Sequence, residues 1–230
     1  MIVIPTRRIL LLVPLLIGAL LTIDVSGGAW GQPIASVVTW ISFFWILSGV
    51  DSRTRATMWV CMAWATAGEI VLSLVWHLYD YRLGNLPLFV PPGHVMLFLL
   101  GFSIAPRVSD RMVRIIAISA GAIVAVLALT GRDTFSALLV TVFIASVVWG
   151  RERKLYATMF VLSLVMELYG TWLGNWRWNA QVGSTGMVTL NPPVAAGAFY
   201  CMLDLLVMLT MRRRAKSPAP IVPIASTVQV

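Results

Sequence analysis

Eight long apolar segments, almost free of charged residues, fill most of this 230-residue chain. A helix that spans a membrane needs roughly 20 mostly apolar residues, with a range of about 17–25. Membrane-spanning strands would alternate apolar with polar residues, whereas these runs are continuous. The pattern therefore predicts an all-α integral membrane protein with eight transmembrane helices, at about 8–24, 34–50, 57–78, 88–106, 112–130, 134–149, 155–174 and 192–211.

The small number of charged residues excludes a soluble globular protein. Charged residues make up 11% of the chain, and its mean hydropathy is +0.88. A soluble domain carries about 25% charged residues because its surface has to face water. Most of the exterior of this chain must therefore face lipid.

The basic residues predict the orientation of the helices, because lysine and arginine collect in the cytoplasmic segments of membrane proteins. With a cytoplasmic N-terminus and alternating sides, the outer loops hold only Arg82, Arg132 and Arg177. The inner set is Arg7, Arg8, Arg53, Arg55, Arg107, Arg111, Arg114, Arg151, Arg153, Lys154, Arg212, Arg213, Arg214 and Lys216. We expect both termini in the cytoplasm, in a bacterial-type inner membrane. The net charge of +8 then reflects orientation and indicates no nucleic-acid partner.

The two ends of the chain carry further signals. Arg7 and Arg8 before an apolar run resemble the start of a signal peptide, but no A-x-A-like cleavage site follows. We therefore expect this run to remain as the first span. The segment 212–230 begins with basic residues and has no charge after Lys216. We predict that it is a cytoplasmic tail, disordered from Ser217 onward.

An internal repeat divides the predicted helices into two sets of four. Three short similarities recur at one offset of 101 residues. An even number of helices in each half makes the repeat parallel rather than inverted. We predict halves at 1–106 and 107–211 with a site between them; chance similarity between apolar helices is the alternative. The recurring features are Gly49 and Gly150, Ala56–Val60 and Ala157–Val161, and Pro91-Pro92 and Pro192-Pro193.

Three acidic residues lie inside the predicted spans, where ionisable groups are costly and commonly functional. Glu69 and Glu167 lie in the equivalent third and seventh spans, ~13 and ~10 Å from the outer ends, and Asp204 lies ~18 Å into the eighth span. We predict that all three share a cavity that opens outward. A carboxyl group isolated there stays protonated and suits proton donation. The alternative is that the acids hydrogen-bond between helices and stabilise their packing.

The two histidines, His77 and His94, fall at the outer ends of the third and fourth spans. A metal site formed with Glu69 and Asp80 is conceivable, but no HxxxH, ExxH or CxxC spacing supports it. Hydrogen bonding at the membrane interface is the alternative role. We expect neither a metal nor another cofactor.

Two outer loops, which follow the third and seventh spans, share a Gly-Asn pair, an arginine, several aromatic residues and a Pro-Pro step. An aromatic belt at the membrane surface explains part of this pattern. It does not explain Arg82 and Arg177, whose guanidinium groups suit carboxylates or phosphates, or would pair with Asp80 or Glu167. We predict that the substrate is bound by Arg82, Asn85, Tyr169, Trp172, Asn175, Trp176, Arg177 and Trp178, together with His77 and His94.

One stretch resembles the E-x-x-G-x-x-x-G…Y-x-Y signature of multi-span bacterial carotenoid hydratases: Glu167-Leu-Tyr-Gly-Thr-Trp-Leu-Gly-Asn-Trp-Arg-Trp178. Where that family has Pro-Phe after its second glycine, this chain has Asn175-Trp176. The chain is also broadly similar to integral membrane terpene cyclases, whose two intramembrane acids would correspond to Glu69 or Glu167 and to Asp204. Both resemblances imply that a buried acid protonates an alkene and that aromatic faces stabilise the resulting cation.

These features predict a membrane enzyme, a lyase or hydratase or a cyclase, acting on an apolar lipid or isoprenoid. Glu167, Glu69 and Asp204 are the predicted catalytic residues, with membrane lipid and an apolar small molecule as partners. A proton-coupled transporter and a non-catalytic membrane subunit or scaffold remain the alternatives.

Overall fold

The computed structural model describes residues 6–216 of the chain. The helices are α1 Thr6–Ser26, α2 Gly28–Ser48, α3 Ser52–Glu69, α4 Val90–Ile104, α5 Asp110–Leu129, α6 Phe135–Trp149, α7 Arg153–Leu173 and α8 Gly197–Lys216. Two short strands, β1 Tyr79–Tyr81 and β2 Trp176–Trp178, lie in the connections after α3 and α7. The tail predicted to be disordered from Ser217 lies outside the described residues.

The helices have the length and surface of a multi-pass membrane protein. Five are long and apolar enough to cross a membrane: α1, α2, α3 with its continuation to Val75, α5 and α7. On α5, for example, Ile118 is 70% exposed and Val126 is 61% exposed. Such extensive exposed apolar surface marks contact with a membrane or a partner rather than with water. The all-α class and a membrane location are therefore supported.

Local hydrogen bonds and tight turns shift several helix ends from the predicted positions. A single residue, Gly27, separates α1 from α2, so α2 begins at Gly28 rather than near residue 34. The predicted eighth span begins at Pro192, but α8 begins only at Gly197. The backbone N–H groups of Val194 and Ala195 donate to side chains at the start of α6 instead, at 3.0 and 3.1 Å.

Four helices, two from each predicted half, form the centre of the bundle. α3 and α7 each pack against both α4 and α8, so α3 and α7 are diagonal neighbours. The α1–α2 pair packs on α4, with α1 also on α7, and the α5–α6 pair packs on α7 and α8. α7 and α8 approach closely at Gly197, where an added Cβ would lie 2.3 Å from the Phe160 carbonyl oxygen. Small residues permit such backbone approaches between membrane helices.

The two predicted halves are interleaved in this centre, because each contributes helices that pack against those of the other. The repeated glycines Gly49 and Gly150 both follow the last residue of a helix, α2 and α6 respectively. The helices that come next, α3 and α7, begin at Ser52 and Arg153. The parallel repeat and the division between 1–106 and 107–211 stay predictions.

Two ion pairs and the two strands mark the opposite ends of the bundle. At one end, Arg153 Nη2 is 3.3 Å from Asp110 Oδ1, and Arg212 Nη2 is 2.7 Å from Glu152 Oε1. This end, formed by the turns at 49–51, 105–109 and 150–152 and by the last turns of α8, is called the basic end. The opposite end, where β1 pairs with β2, is called the ribbon end.

Asp51 at the basic end caps α3 and explains why that helix begins earlier than the predicted residue 57. Its carboxylate accepts hydrogen bonds from the Thr54 hydroxyl at 2.6 Å and from the Thr54 and Arg53 backbone N–H groups. These bonds, the Thr54 hydroxyl first, lower the pKa of Asp51 from 3.8 to about 2. A lowered folded-state pKa contributes stability above pH 3.8 that is lost as the pH falls toward 2.

We expect Asp51→Asn to remove this part of the acid dependence of stability, because asparagine caps a helix but takes up no proton. Thermal unfolding in detergent, measured from about pH 5 down to about pH 2, tests this expectation. Thr54→Val keeps the acid but removes its strongest donor, and should give an intermediate dependence. An acid dependence in Asp51→Asn equal to that of the wild type would contradict the assignment.

Candidate active site

A two-stranded antiparallel ribbon covers the ribbon end of the central helices. Its strands pair in the register Tyr79↔Trp178, Asp80↔Arg177 and Tyr81↔Trp176. Successive side chains point to opposite faces of a strand, so the four aromatic rings share the buried face and the charged pair lies on the exposed face. Aromatic pairs and opposite charges across the strands both favour this register.

Two phenols of β1 hold Glu69 at the end of α3. The hydroxyl groups of Tyr79 and Tyr81 each donate to Oε2 of Glu69 at 2.7 Å. Among the described residues, no side chain donates a hydrogen bond to the other oxygen, Oε1. Because Oε2 already accepts two donors, a protonated Glu69 carries its proton on Oε1.

Two indoles of β2 hold Glu167 in the corresponding way. The Nε1 groups of Trp176 and Trp178 donate to Oε2 of Glu167 at 2.8 and 2.9 Å, and the Tyr200 hydroxyl donates to Oε1 at 3.2 Å. An indole N–H can only donate, so Oε2 serves as an acceptor for both rings. Glu167 thus has three donors, whereas Glu69 has two.

Two glycines that follow Glu167, Gly170 and Gly174, are required by the local geometry of the chain. An added Cβ at Gly170 would lie 2.1 Å from Cη2 of Trp176, so a side chain there would displace the indole from Glu167. Gly174 follows α7 with φ of 86°, a left-handed conformation that glycine adopts without strain. The two glycines in the stretch that resembles the carotenoid hydratase signature therefore allow the chain to reverse direction, so that the indoles reach the carboxylate of Glu167.

Glu69 and Glu167 border one cavity of about 60 Å³. Their donors are in contact as well, because the ring centroids of Tyr79 and Trp178 are 4.7 Å apart. Most of the remaining lining is apolar or aromatic, including Ile17, Leu20, Phe89, Met96, Met166 and Trp176. An apolar cavity with a few convergent polar groups is the usual form of a small-molecule site, so this cavity is the candidate active site.

His94 and Tyr200 also border the cavity, as does Thr39. Their rings are stacked, with centroids 4.7 Å apart and planes 1° from parallel. His94 Nε2 is buried and has no hydrogen-bond partner within residues 6–216. His94, one of the predicted substrate-binding residues, therefore lies at the cavity. Tyr200 also lies there, although the sequence analysis did not identify it.

Asp24, at the end of α1, anchors the loops that carry the ribbon. Its Oδ1 lies 3.1 Å from Arg82 Nη2, and its Oδ2 accepts a hydrogen bond from Asn175 Nδ2 at 2.7 Å. Of the two loop arginines, Arg82 therefore pairs with neither Asp80 nor Glu167, the partners considered as an alternative, whereas Arg177 lies opposite Asp80 in the ribbon. Asp24 is buried, at 1% exposure, so its charge is compensated by a cation from the first loop and an amide from the second. Arg82 and Asn175 position the site rather than line its cavity.

The other predicted binding residues lie around the ribbon or on the surface. Asn85 exchanges hydrogen bonds with Gln32 on α2, and the Tyr169 hydroxyl lies 2.7 Å from Thr22 Oγ1 on α1. Trp172 is 78% exposed and does not border the cavity. His77 and Arg177 are exposed, and His77 adopts a positive φ of 52° in the turn before β1.

Asp204 does not border the cavity with the two glutamates. It is fully buried on α8, nearer the basic end, so the structure brings together two of the three acids that were expected to share a site. Within residues 6–216, no group of three or more His, Cys, Asp or Glu side chains is arranged to hold a metal ion.

The donors of Glu69 were missed, although the chain carries a signal for them. Tyr79 and Tyr81 follow Glu69 by 10 and 12 positions, and Trp176 and Trp178 follow Glu167 by 9 and 11. An acid followed at similar spacing by aromatic-x-aromatic in both loops could have indicated two equivalent sites. Asp24 gave no such signal, because a helix-end acid is usually solvated.

No known family model matches the chain, and no curated protein or solved structure is significantly similar to it. The resemblance to carotenoid hydratases and terpene cyclases therefore stays a prediction.

We expect Trp176→Phe and Trp178→Phe each to destabilise the protein by about 1–3 kcal/mol, because each removes a donor from a buried carboxylate. Thermal or denaturant unfolding in detergent measures the loss. Trp172→Phe is the matched control and should stay within about 0.5 kcal/mol of the wild type, since its ring is exposed. Equal stability of all three variants would show that the indole hydrogen bonds do not hold Glu167.

Proposed function

We propose that all eight helices cross a bacterial-type inner membrane, with the basic end and both termini in the cytoplasm. The placement of the basic residues supports this orientation. α4 has only 15 residues, but most of them are buried among other helices. A helix that is shielded by protein need not match the thickness of the lipid.

Labelling of single cysteines tests this topology. In a background with Cys61→Ala and Cys201→Ala, a membrane-impermeant maleimide should label Arg132→Cys in intact cells but not Arg53→Cys, which should react only after permeabilisation. Arg132 and Arg53 are both exposed, at the ribbon end and the basic end respectively. If only Arg53→Cys reacts in intact cells, the proposed orientation is reversed. If both cysteines react in intact cells, the two ends of the bundle do not lie on opposite sides of the membrane.

We also propose that the protein is a membrane enzyme that protonates an alkene of an apolar lipid or isoprenoid. The observation that carries this proposal is the apolar cavity into which two buried glutamates project, each held by aromatic donors from one strand. Ionisable groups within a membrane bundle are costly and mark function by default. A purely structural role would not require both carboxyl groups to border the same cavity.

In this reaction Glu69 is the proton donor. Its Oε2 is held by two phenols, which leaves Oε1 to carry a proton toward the cavity. Protonation breaks the O–H bond of Glu69 and forms a C–H bond with one alkene carbon, which leaves a carbocation at the other. The Glu69 carboxylate then regains a proton, either from the cation itself or from a water molecule that adds to it.

Glu167 and the aromatic rings stabilise the cation. Glu167 has one more hydrogen-bond donor than Glu69. Because hydrogen bonds to an ionised acceptor are stronger than those to a neutral one, we propose that Glu167 is the one of the two that carries the negative charge during the reaction. A negative charge near Glu69 compensates the positive charge that forms on the substrate. The Tyr81, Trp176 and Tyr200 rings border the same cavity and offer π-faces to a cation.

The size of the cavity limits which part of the substrate reacts. Its volume of about 60 Å³ suits a small group, not a complete carotenoid. We therefore propose that one end of a chain-like substrate enters the cavity, while the rest lies along the apolar surface of the helices. Gly93 borders the cavity, and an added Cβ there would meet no atom within 4 Å.

We expect Glu69→Gln to lower turnover by roughly 100- to 10,000-fold, the usual contribution of a positioned general acid. Purified protein would be incubated with an isoprenoid extract of host membranes in D₂O, and products analysed by mass spectrometry. The wild type should place a single deuterium on carbon in each product. Glu167→Gln should also lower turnover strongly, because it removes the charge opposite the cation.

Gly93→Ala provides a matched test of the cavity. It should lower conversion by taking up space at the cavity, while thermal stability stays near that of the wild type because the added Cβ meets no atom within 4 Å. Unchanged turnover in Glu69→Gln would refute the proton-donor assignment. If the wild type forms no product but takes up a solute together with protons in liposomes, the protein is a transporter instead.

A further inference from the structure

A recess at the basic end lies apart from the candidate active site. It has a volume of about 310 Å³ and opens between the last turn of α4 and the start of α7. Among the described residues it shares no lining residue with the cavity, and the proposed reaction uses none of its side chains. Its lining consists of Phe102, Ala105 and Pro106 on one side and of residues 151–155 on the other.

The basic side of this recess carries two positive charges that no carboxylate compensates. Arg151 and Lys154 form no ion pair within residues 6–216. The other two charged residues of the recess are paired with residues outside its lining: Arg153 with Asp110 at 3.3 Å, and Glu152 with Arg212 at 2.7 Å. The orientation of a membrane protein requires basic residues at this end, but it does not require that they surround a recess. Their placement therefore favours an anionic ligand.

The other side of the recess is apolar and partly open to lipid. Phe102 on α4 is 43% exposed, whereas Leu155 and Ala105 are buried, at 3% and 8% exposure. An exposed apolar ring beside unpaired cations offers contacts to a molecule that has both an acyl chain and a charged group. A free phosphate ion would use only the basic side. The combination therefore favours a lipid headgroup, a known ligand of basic pockets between membrane helices.

We propose that this recess binds an anionic phospholipid. Its phosphate is held by Arg151, whose planar guanidinium can donate two hydrogen bonds to phosphate oxygens, and by Lys154 as a single charge. An acyl chain leaves the recess along Phe102 into the membrane. The volume of about 310 Å³ lies at the lower limit of small-molecule sites, about 300 Å³, so it suits a headgroup while the chains stay outside.

The bound lipid joins α4 to α7. These two helices already pack closely beside the recess, where an added Cβ at Gly101 on α4 would clash with the Met159 sulfur on α7. At their other ends the same helices carry His94 and Glu167 at the cavity. We expect the lipid to stabilise the packing of this pair, because a ligand that binds only the folded state raises its stability.

Titration of the full-length protein in detergent, followed by native mass spectrometry, tests the site. The probes are phosphatidylglycerol, which is anionic, and phosphatidylcholine with the same acyl chains, which has no net charge. We expect a single phosphatidylglycerol to bind more tightly. Arg151→Gln/Lys154→Gln should weaken its binding by roughly 25-fold, since each cation near an anionic lipid contributes about fivefold. The matched control, Arg111→Gln/Arg114→Gln, removes two exposed charges from the start of α5, outside the recess, and should bind as the wild type does.

Thermal unfolding gives a second measurement. Phosphatidylglycerol should raise the unfolding temperature of the wild type and of the control variant, but not that of Arg151→Gln/Lys154→Gln. If this double variant does not fold, Arg151→Gln alone decides. It changes one exposed residue that precedes α7 and should weaken binding about fivefold.

Wild-type affinity in Arg151→Gln/Lys154→Gln, or equal affinity for the two lipids, would overturn the proposal. Equal loss of binding in both double variants would also overturn it, because it would show attraction to the overall charge. Glycerol phosphate carries the phosphate without acyl chains. If it binds as tightly as phosphatidylglycerol, the recess is a site for a soluble phosphate and the lipid assignment is wrong. These outcomes do not depend on the proposed reaction, because no described residue of the recess borders the cavity.

Discussion

The hydrogen bonds between the two intramembrane glutamates and the aromatic ribbon are the interaction on which the site depends. A carboxyl group removed from water requires donors, and an apolar bundle offers few. In this protein four of the five donors come from outside the helices, from two phenols of β1 and two indoles of β2, and the fifth is the Tyr200 hydroxyl on α8. The pairing of the strands then fixes both carboxyl groups beside one cavity, so the same contacts close the bundle and define the site.

The two glutamates are held similarly but are not equivalent. Glu69 has an oxygen that accepts from no side chain among residues 6–216, whereas both oxygens of Glu167 accept hydrogen bonds. This difference in hydrogen bonding is the basis for assigning Glu69 as the proton donor and Glu167 as the counter-charge, although both are glutamates. Asp204 adds a third environment, deeper toward the basic end, in which a carboxyl group has no protein donor among the described residues. Three acids of similar chemistry are thus distinguished by their partners.

The ribbon is itself positioned by a buried charge at the end of α1. Asp24 binds Arg82 from one loop and Asn175 from the other, so α1 holds both strands of the ribbon over the cavity. Gly170 and Gly174 serve the same geometry from α7, the first by making room for Trp176 and the second by ending the helix. Mutations at these positions should therefore affect the site although none of the side chains borders the cavity.

The sequence by itself determined the membrane class, the helical architecture and the identity of the acids. Continuous apolar runs permit only helices in lipid, and Glu69, Glu167 and Asp204 stand out because charge is rare in such runs. Which acids meet was decided by the tertiary structure. The pairing of β1 with β2 unites two glutamates from diagonal helices, and the packing of α8 leaves Asp204 apart. The partner of Arg82 was equally hidden, because Asp24 lies 58 residues away and reaches it only when α1 packs against the central helices. The pattern of apolar residues along a sequence indicates which face of a helix is buried. It does not indicate which distant loops come into contact, because those contacts arise only when the helices pack together.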